Sequence, residues 1–244
     1  MKKALCLILT LVLSVMLLTG CGDQEADSRP KKKSMKRMPV ETSYAQLAEP
    51  QEGDPIAIFD TSLGEIRVVL FPQYAPMAVK NFTGLCEQGY YNDTLFHRAV
   101  YGFVVQGGDA SGTGHQGSSI WDNNPFPAEY ASQLRHFSGA LCAANSPEDP
   151  VSTTSQFYFV QSLPQPPEES IRTAMADAGT PSDVLDAYDA VGGLPYLDYT
   201  DTVFGQVYKG MEVVDKIALS DTDETGRPLD EIRIKSVTVS TYGS

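Results

Sequence analysis

Short β-rich runs separated by turn residues constrain the fold of this chain more than any other feature of its sequence. The segment PIAIFDTSLGEIRVVLF, 55–71, is typical of two strands joined by a turn at 62–64. Further runs follow at FHRAVYGFVVQGG, GALCAAN, SQFYFVQ and TVFGQVYKG, and EIRIKSVTV ends the series with a shift of apolar phase between Ile234 and Val237, as at a β-bulge. Because strands and helices do not alternate, the pattern predicts a mainly β domain, a largely antiparallel sheet or barrel.

Helical spacing is confined to a few segments. In APMAVKNFTGLCEQG, Pro76 can occupy the first turn and Gly89 can end a helix, and MEVVDKIA indicates another short helix. Segment 162–195 looks added between two β-rich runs. It holds two apolar helical faces, formed by Ile171, Ala174, Met175 and Ala178 and by Val184, Leu185, Tyr188 and Val191. We therefore predict an inserted helical hairpin, which carries six acidic residues and one arginine.

The first twenty residues have the pattern of an export signal. Lys2 and Lys3 precede the apolar stretch ALCLILTLVLSVMLL, which is too short for a convincing membrane-spanning helix. The stretch closes on LTGC, which resembles a bacterial lipobox ending at Cys21. This resemblance implies a signal peptide at 1–20, a lipid on Cys21 and a location on the extracytoplasmic face of the cell membrane. The alternatives are an ordinary signal peptide, or a short membrane anchor with a chance cysteine.

Segment 21–53 is polar and almost without periodicity, and we interpret it as a flexible tether. Six basic residues lie within 29–37, where they could add membrane affinity beside a lipid anchor or simply extend a solvated spacer. From residue 38 onward the chain has 28 acidic and 10 basic residues, a formal charge of −18. That charge argues against nucleic acid as a partner. Segment 54–242 is long enough for one well-buried core, and we expect a monomer.

Several familiar sites can be set aside. The glycine-rich QGGDASGTGHQG lacks a Walker pattern, and as a calcium loop it would place Ile120 where a glutamate is needed. We expect Asp109 to hold this loop through local hydrogen bonds. No HExxH, GxSxG or CxxC motif occurs, so the sequence predicts neither a hydrolase nor a metal or other cofactor. Cys86 and Cys142 lie in apolar surroundings and are expected to be unpaired.

Several motifs in order resemble the cyclophilins, the peptidyl-prolyl cis–trans isomerases. FHRAVYGFVVQGGDASGTG, 96–114, is similar to the signature of that family, and FSGALCAAN, SQFYF and YLDYTDTVFGQVYKGMEVVDKI follow with matching spacing. The resemblance covers about 55–239 apart from the inserted hairpin. It implies an eight-stranded antiparallel β-barrel capped by two helices, and prolyl isomerase activity on unfolded or proline-containing exported polypeptides.

The resemblance also assigns site residues. It implies that Arg98 is the catalytic arginine, that Gln106 orients it, and that Gly112 and its neighbours edge the groove. The substrate-binding positions that it implies are the pocket walls Phe103, Val104, Tyr158 and Leu197, the backbone of Ala144 and Asn145, and the side chain of Gln156.

The chemistry fits a site without a nucleophile. Rotation about an X–Pro bond makes no covalent bond, and its barrier of about 18–20 kcal/mol comes from amide resonance. The sequence departs from well-known members at Val104, Tyr158, Tyr196 and Asp201, where methionine, phenylalanine, tryptophan and histidine are usual. The Tyr158 hydroxyl must find a partner in an apolar wall. The alternative function is a proline-peptide-binding module or chaperone on the same fold, without useful turnover.

Overall fold

The computed structural model describes residue 37 and residues 44–146, 148–149 and 151–244. The predicted signal peptide, the lipidation site at Cys21 and the basic run up to residue 36 lie outside the described residues. Within the described part of the chain, no helix is long and apolar enough to cross a membrane.

One nine-stranded antiparallel sheet forms the body of the domain, in the order β3-β9-β1-β2-β8-β6-β7-β5-β4. It curls into a half-barrel, and the mainly β antiparallel prediction is confirmed. The sheet has nine strands rather than the predicted eight, because a two-residue strand, β3, pairs with β9 at the edge of the sheet. The strands are β1 Pro55–Thr61, β2 Gly64–Leu70, β3 Thr94–Leu95, β4 Arg98–Val100, β5 Val104–Gly107, β6 Ala140–Ala143, β7 Phe157–Val160, β8 Thr202–Lys209 and β9 Arg233–Thr241.

The first hairpin and the last strand form as their patterns predict. Strands β1 and β2 pair from Ile56 with Val69 to Thr61 with Gly64. The β1–β9 register slips by one residue, since Asp60 pairs with Ser236 but Thr61 pairs with Ile234. The extra residue in β9 is the predicted bulge.

Two faces of the sheet bury two different apolar clusters. In β7, Phe157 and Phe159 belong to the central core, whereas Tyr158 and Val160 belong to a second cluster on the opposite face. The side chains of β5, β6 and β8 alternate between the two clusters in the same way, because successive side chains of a strand point to opposite faces. All four residues of β6 and of β7 are therefore buried.

Helices α1 Pro76–Glu87 and α4 Met211–Leu219 cover the central core. Their buried apolar residues, which include Phe82 and Ile217, pack with the rings of Phe59, Phe157 and Phe204. Gly89, at φ 69°, follows the end of α1 as predicted. The thiols of Cys86 and Cys142 are both buried and free.

The inserted hairpin forms two helices, α2 Glu169–Asp177 and α3 Ser182–Val191. Helix α3 packs on the domain, with Tyr188 fully buried and its ring centroid 4.6 Å from that of Phe137. Helix α2 buries none of its residues.

The end of the predicted tether also packs on the domain. Gln46, in a short 3-10 turn at Ala45–Leu47, is only 2% exposed. Its amide donates to the Arg135 carbonyl at 2.8 Å and to Gln206 at 3.0 Å, and its oxygen accepts from the Arg135 N–H at 2.8 Å. Residues 44–48 are therefore part of the folded unit, although the predicted tether at 21–53 included them.

Candidate active site

A row of residues crosses four adjacent strands on the face of the sheet that carries the second cluster. The register pairs Arg98 with Gln106, Gln106 with Tyr158, and Tyr158 with Cys142. Directly opposite residues in an antiparallel sheet present their side chains to the same face. The sheet thus brings an arginine and a glutamine to the edge of an apolar surface.

The predicted pocket walls meet in this second cluster. Val104 and Tyr158 are buried within it, and Phe103, Ala144 and Leu197 are half-buried against it. These residues come from the turn between β4 and β5, from β5, β7 and the segment after β6, and from the turn at Pro195–Leu197. Segments far apart in sequence therefore meet in one apolar cluster, where the resemblance predicts the pocket for a proline ring, and we refer to this cluster as the proline pocket.

Arg98 lies beside this pocket, half-buried, with its guanidinium carbon 5.3 Å from the centroid of the Phe103 ring. An aromatic face at this distance attracts the cation and holds it near the apolar wall. A tight turn between β4 and β5 places Phe103. The N–H of Gly102 donates to the Gln161 side chain at 2.6 Å, and the Gln161 N–H donates to the Phe103 carbonyl at 2.8 Å. The sequence analysis did not identify Gln161. Its signal is an amide in an apolar stretch, because such a side chain needs hydrogen-bond partners when it is fully buried.

Gln106 and Gln156 form a bonded pair of amides. Gln106 donates to the Gln156 oxygen at 3.0 Å, and Gln156 donates to the carbonyls of Gly114 at 3.1 Å and Gln116 at 2.9 Å. Among the described residues, no side-chain hydrogen bond joins Gln106 to Arg98. Arg98 and Gln106 are thus neighbours in the sheet, and Gln106 is tied through Gln156 to the glycine-rich loop, whose Gly112 the resemblance places at the edge of the groove.

That loop is organised by Asp109, as predicted. Its fully buried carboxylate accepts hydrogen bonds from the N–H groups of Ser111, Gly114 and Gln116 and from the hydroxyls of Ser111 and Thr113. Burial raises the pKa of the Asp109 carboxyl, but these bonds outweigh it and hold that pKa well below its usual range.

His97 precedes the candidate catalytic arginine and is mostly buried. Burial lowers the pKa of its imidazole, and the nearby cations of Arg227 and Arg98 lower it further, against the opposing effect of Asp109. His97 is therefore uncharged at neutral pH, and the local positive charge comes from Arg98 and Arg227.

The Tyr158 hydroxyl finds its partner in Asp201, at 2.9 Å from Oδ2. The other carboxylate oxygen accepts the N–H of Asn145 at 3.1 Å, and the N–H of Ala144 donates to the Gln156 carbonyl at 2.9 Å. Burial, the Cys142 thiol and the Asp201 charge all raise the pKa of Tyr158, so the phenol remains protonated. Two unusual residues of the sequence thus compensate for each other: a hydroxyl in an apolar wall and a carboxylate beside it.

The remaining groups near the pocket offer no other chemistry. Burial raises the pKa of the Cys142 thiol well above its usual value, so the thiol is not nucleophilic at neutral pH. Within the described ranges, no group of three His, Cys, Asp or Glu side chains could hold a metal ion.

The fold agrees with the comparisons to known proteins. The family model for cyclophilin type peptidyl-prolyl cis-trans isomerases matches residues 56–239. The chain therefore belongs to the cyclophilin-type peptidyl-prolyl cis–trans isomerases, and it is an enzyme of that class.

Individual relatives support the same assignment. A Staphylococcus saprophyticus protein named as a candidate peptidyl-prolyl cis-trans isomerase is 38% identical over 199 residues, which cover 81% of this chain and 98% of the relative. A Staphylococcus aureus protein of the same name is 36% identical over 198 residues, with the same coverage. A crystal structure of a Cryptosporidium parvum cyclophilin, determined in the presence of the dipeptide Ala-Pro, superposes with a TM-score of 0.62 at 28% identity. The superposition covers 76% of this chain and 99% of that one.

Proposed function

We propose that the proline pocket binds the proline ring of an unfolded or extended polypeptide and that Arg98 catalyses rotation about the preceding peptide bond. The observation that carries this proposal is the cross-strand placement of Arg98 and Gln106 at the edge of the pocket formed by Phe103, Val104 and Tyr158. A dipeptide containing proline accompanies the related Cryptosporidium parvum structure, which supports the choice of substrate.

The mechanism follows from the loss of amide resonance. When the X–Pro bond is twisted, the lone pair of the proline nitrogen becomes localised and can accept a hydrogen bond. A guanidinium beside the pocket can donate that bond, because arginine keeps its proton under all relevant conditions. The bond is available in the transition state and not in either planar isomer, so it lowers the barrier. No group attacks the substrate, and no nucleophile is required.

The backbone beside the pocket can align the client chain. The N–H groups of Ala144 and Asn145 are occupied within the protein, whereas no described residue donates a hydrogen bond to their carbonyl oxygens. We expect these carbonyls to accept N–H groups of the substrate, with Gln156 at the edge of the same groove.

Arg98→Ala tests the catalytic role. We expect kcat/KM for an X–Ala-Pro-Phe tetrapeptide to fall at least tenfold, with Arg98→Lys intermediate, because an ammonium lacks the planar fork of donors. Magnetisation-exchange NMR on the full-length protein in detergent measures the rate, and circular dichroism checks the fold. Equal rates for wild type and Arg98→Ala would refute the mechanism.

A second candidate function is proline-peptide binding without turnover. The polar pair of Tyr158 and Asp201 favours it, since the pair changes the wall against which the proline ring would pack. Binding of the tetrapeptide without acceleration of its exchange would favour this alternative over catalysis.

We further propose that the enzyme is attached to the extracytoplasmic face of the membrane through Cys21 and acts there on exported proteins. The support is the sequence LTGC directly after a charged and apolar leader. In cells supplied with a labelled fatty acid, wild type should carry label and partition with membranes, and Cys21→Ala should do neither. Label retained by Cys21→Ala would contradict the anchor.

A further inference from the structure

The inserted hairpin forms one wall of an open cavity of about 640 Å³. The helical wall includes Ile171, Ala174 and Met175 of α2, and the opposite wall includes Pro195, Tyr196 and Tyr199. We call this cavity the hairpin groove. Its volume lies within the range of about 300–1,000 Å³ that is usual for ligand sites.

The apolar face of α2 is only partly used to hold the domain together, through Met175, which is half-buried against the cluster that α3 forms with Phe137. No residue of α2 is buried, although Ile171 and Met175 point an apolar stripe toward the groove. Helix α3, in contrast, buries Val184, Ala187 and Tyr188 against the barrel. The hairpin is thus anchored by one helix and presents the other to the groove.

The hairpin groove continues toward the proline pocket. Ile171, Pro195 and Tyr196 also line a smaller cavity of about 190 Å³, whose other walls include Gly102 and Leu194. Gly102 adjoins Phe103 in sequence, and Leu194 lies in the same apolar cluster as Val104 and Tyr158. The three-residue turn at Pro195–Leu197 has Tyr196 in the groove and Leu197 against the pocket cluster. A single turn therefore separates the two sites.

The exposed walls of the groove are aromatic and apolar. Tyr196 is 59% exposed and Tyr199 is 53% exposed, although large aromatic side chains are usually buried. Tyr199 also has a positive φ of 64°, a conformation uncommon for a bulky residue and found preferentially at binding sites.

The charges around the groove favour a basic ligand over an acidic one. The Arg135 guanidinium is occupied by the Tyr199 ring at 4.9 Å, by Asp198 at 3.5 Å and by two backbone carbonyls. Arg172 is paired with Asp189 at 2.8 Å. Glu168 and Glu169 are exposed at the start of α2, and no ion pair among the described residues involves them.

We propose that the hairpin groove is a second binding site for the client chain and takes an apolar or aromatic side chain next to a basic residue, a few positions from the proline. This inference rests on the proposed function, because the occupant is the polypeptide whose proline lies in the adjacent pocket. Each enzyme molecule thereby selects prolines by the sequence that flanks them, and the hairpin increases affinity without contacting the isomerising bond.

The test uses the full-length protein in detergent and peptides with one Ala-Pro bond. A Phe-Lys pair is placed at each position from two to seven residues before or after the proline, and Ala-Ala replaces it in the reference peptides. At the favoured spacing we expect kcat/KM to rise about five- to tenfold through a lower KM, with kcat unchanged. A peptide with a Phe-Glu pair should show a smaller rise in kcat/KM than the peptide with Phe-Lys.

A matched pair of variants locates the effect. Ala174→Trp fills the groove, whereas Ala176→Trp places the same side chain on an exposed position of α2 outside it. We expect Ala174→Trp to remove the gain while the rate on the Ala-Ala peptides stays unchanged, and Ala176→Trp to keep the gain.

Three results would overturn the inference: no gain at any spacing, a gain that survives Ala174→Trp, or a dimer in sedimentation that Ala174→Trp dissociates. The last would assign the groove to a second copy of the chain. Failure of the proposed function gives a different result, since the Ala-Ala peptides would then show no acceleration by wild type.

Discussion

At the scale of single residues, the most informative positions are polar groups in apolar surroundings. The sequence shows that the Tyr158 hydroxyl needs a partner, and the structure supplies Asp201, 43 positions further along the chain. Gln161 is also a polar group in apolar surroundings, and its buried amide accepts a hydrogen bond from the turn that carries Phe103. Such partners are long-range, and no local pattern connects them.

Asp109 gives a prediction about acid stability. Because its folded-state pKa is lowered, the ionised carboxylate stabilises the native state fully above the unfolded pKa of about 4, and this contribution is lost as pH falls toward the folded pKa. Asp109→Asn should cost about 1–3 kcal/mol at pH 7 and should weaken the loss of stability between pH 5 and pH 2. Urea denaturation at several pH values measures both effects.

Asp177→Asn is the matched control, since Asp177 is exposed and has no hydrogen bond through its carboxylate among the described residues. It should change the pH profile of unfolding less than Asp109→Asn does. The same pH profile in Asp109→Asn and wild type would contradict the role assigned to the loop.

At the scale of elements, the hairpin is not a uniform insertion. Sequence periodicity predicts both helices and their apolar faces, but it does not show which face is buried. Helix α3 packs its face on Phe137, while α2 contributes only the half-buried Met175 to that cluster and buries no residue fully. The reason is physical, because burial of an amphipathic face depends on the surface that tertiary folding brings opposite it.

Tyr188→Ala should therefore destabilise the domain by about 3–5 kcal/mol, the range for removing a large buried aromatic ring. The ring contacts Phe137, and its hydroxyl donates to Asp198 at 2.8 Å, so the substitution leaves a cavity and removes one of the hydrogen bonds that Asp198 accepts. Ile171→Ala on α2 should cost less than half as much. Thermal unfolding measured for both variants distinguishes the helices, and equal losses would show that α2 also supports the fold.

At the scale of the whole molecule, the folded unit begins before the first strand. Gln46 satisfies both the N–H and the carbonyl of Arg135, and these groups would be left unpaired without it. A fragment starting at residue 54 should be less stable than one starting at residue 44 by about 1–3 kcal/mol for each orphaned group. Calorimetry should show a lower Tm by about 2–4 °C for each kcal/mol.

Gln46→Ala in the longer fragment tests whether this one side chain carries most of the difference. It should lose stability toward the level of the shorter fragment. Unfolding of the two fragments at the same temperature would mean that residues 44–48 only rest on the surface.

The sequence by itself determined the antiparallel β class, the hairpin at 55–71, the bulge near Ile234 and the inserted helices, because each depends on local periodicity or turn chemistry. Through ordered motifs it also determined the family and the candidate positions Arg98, Gln106 and Tyr158. Only the tertiary structure decided that these three lie in one cross-strand row, that Asp201 pairs with Tyr158, and that α2 faces a groove beside the proline pocket. Strand register and helix docking bring together residues that are distant in the chain, and the free energy of those contacts is not encoded in any one segment.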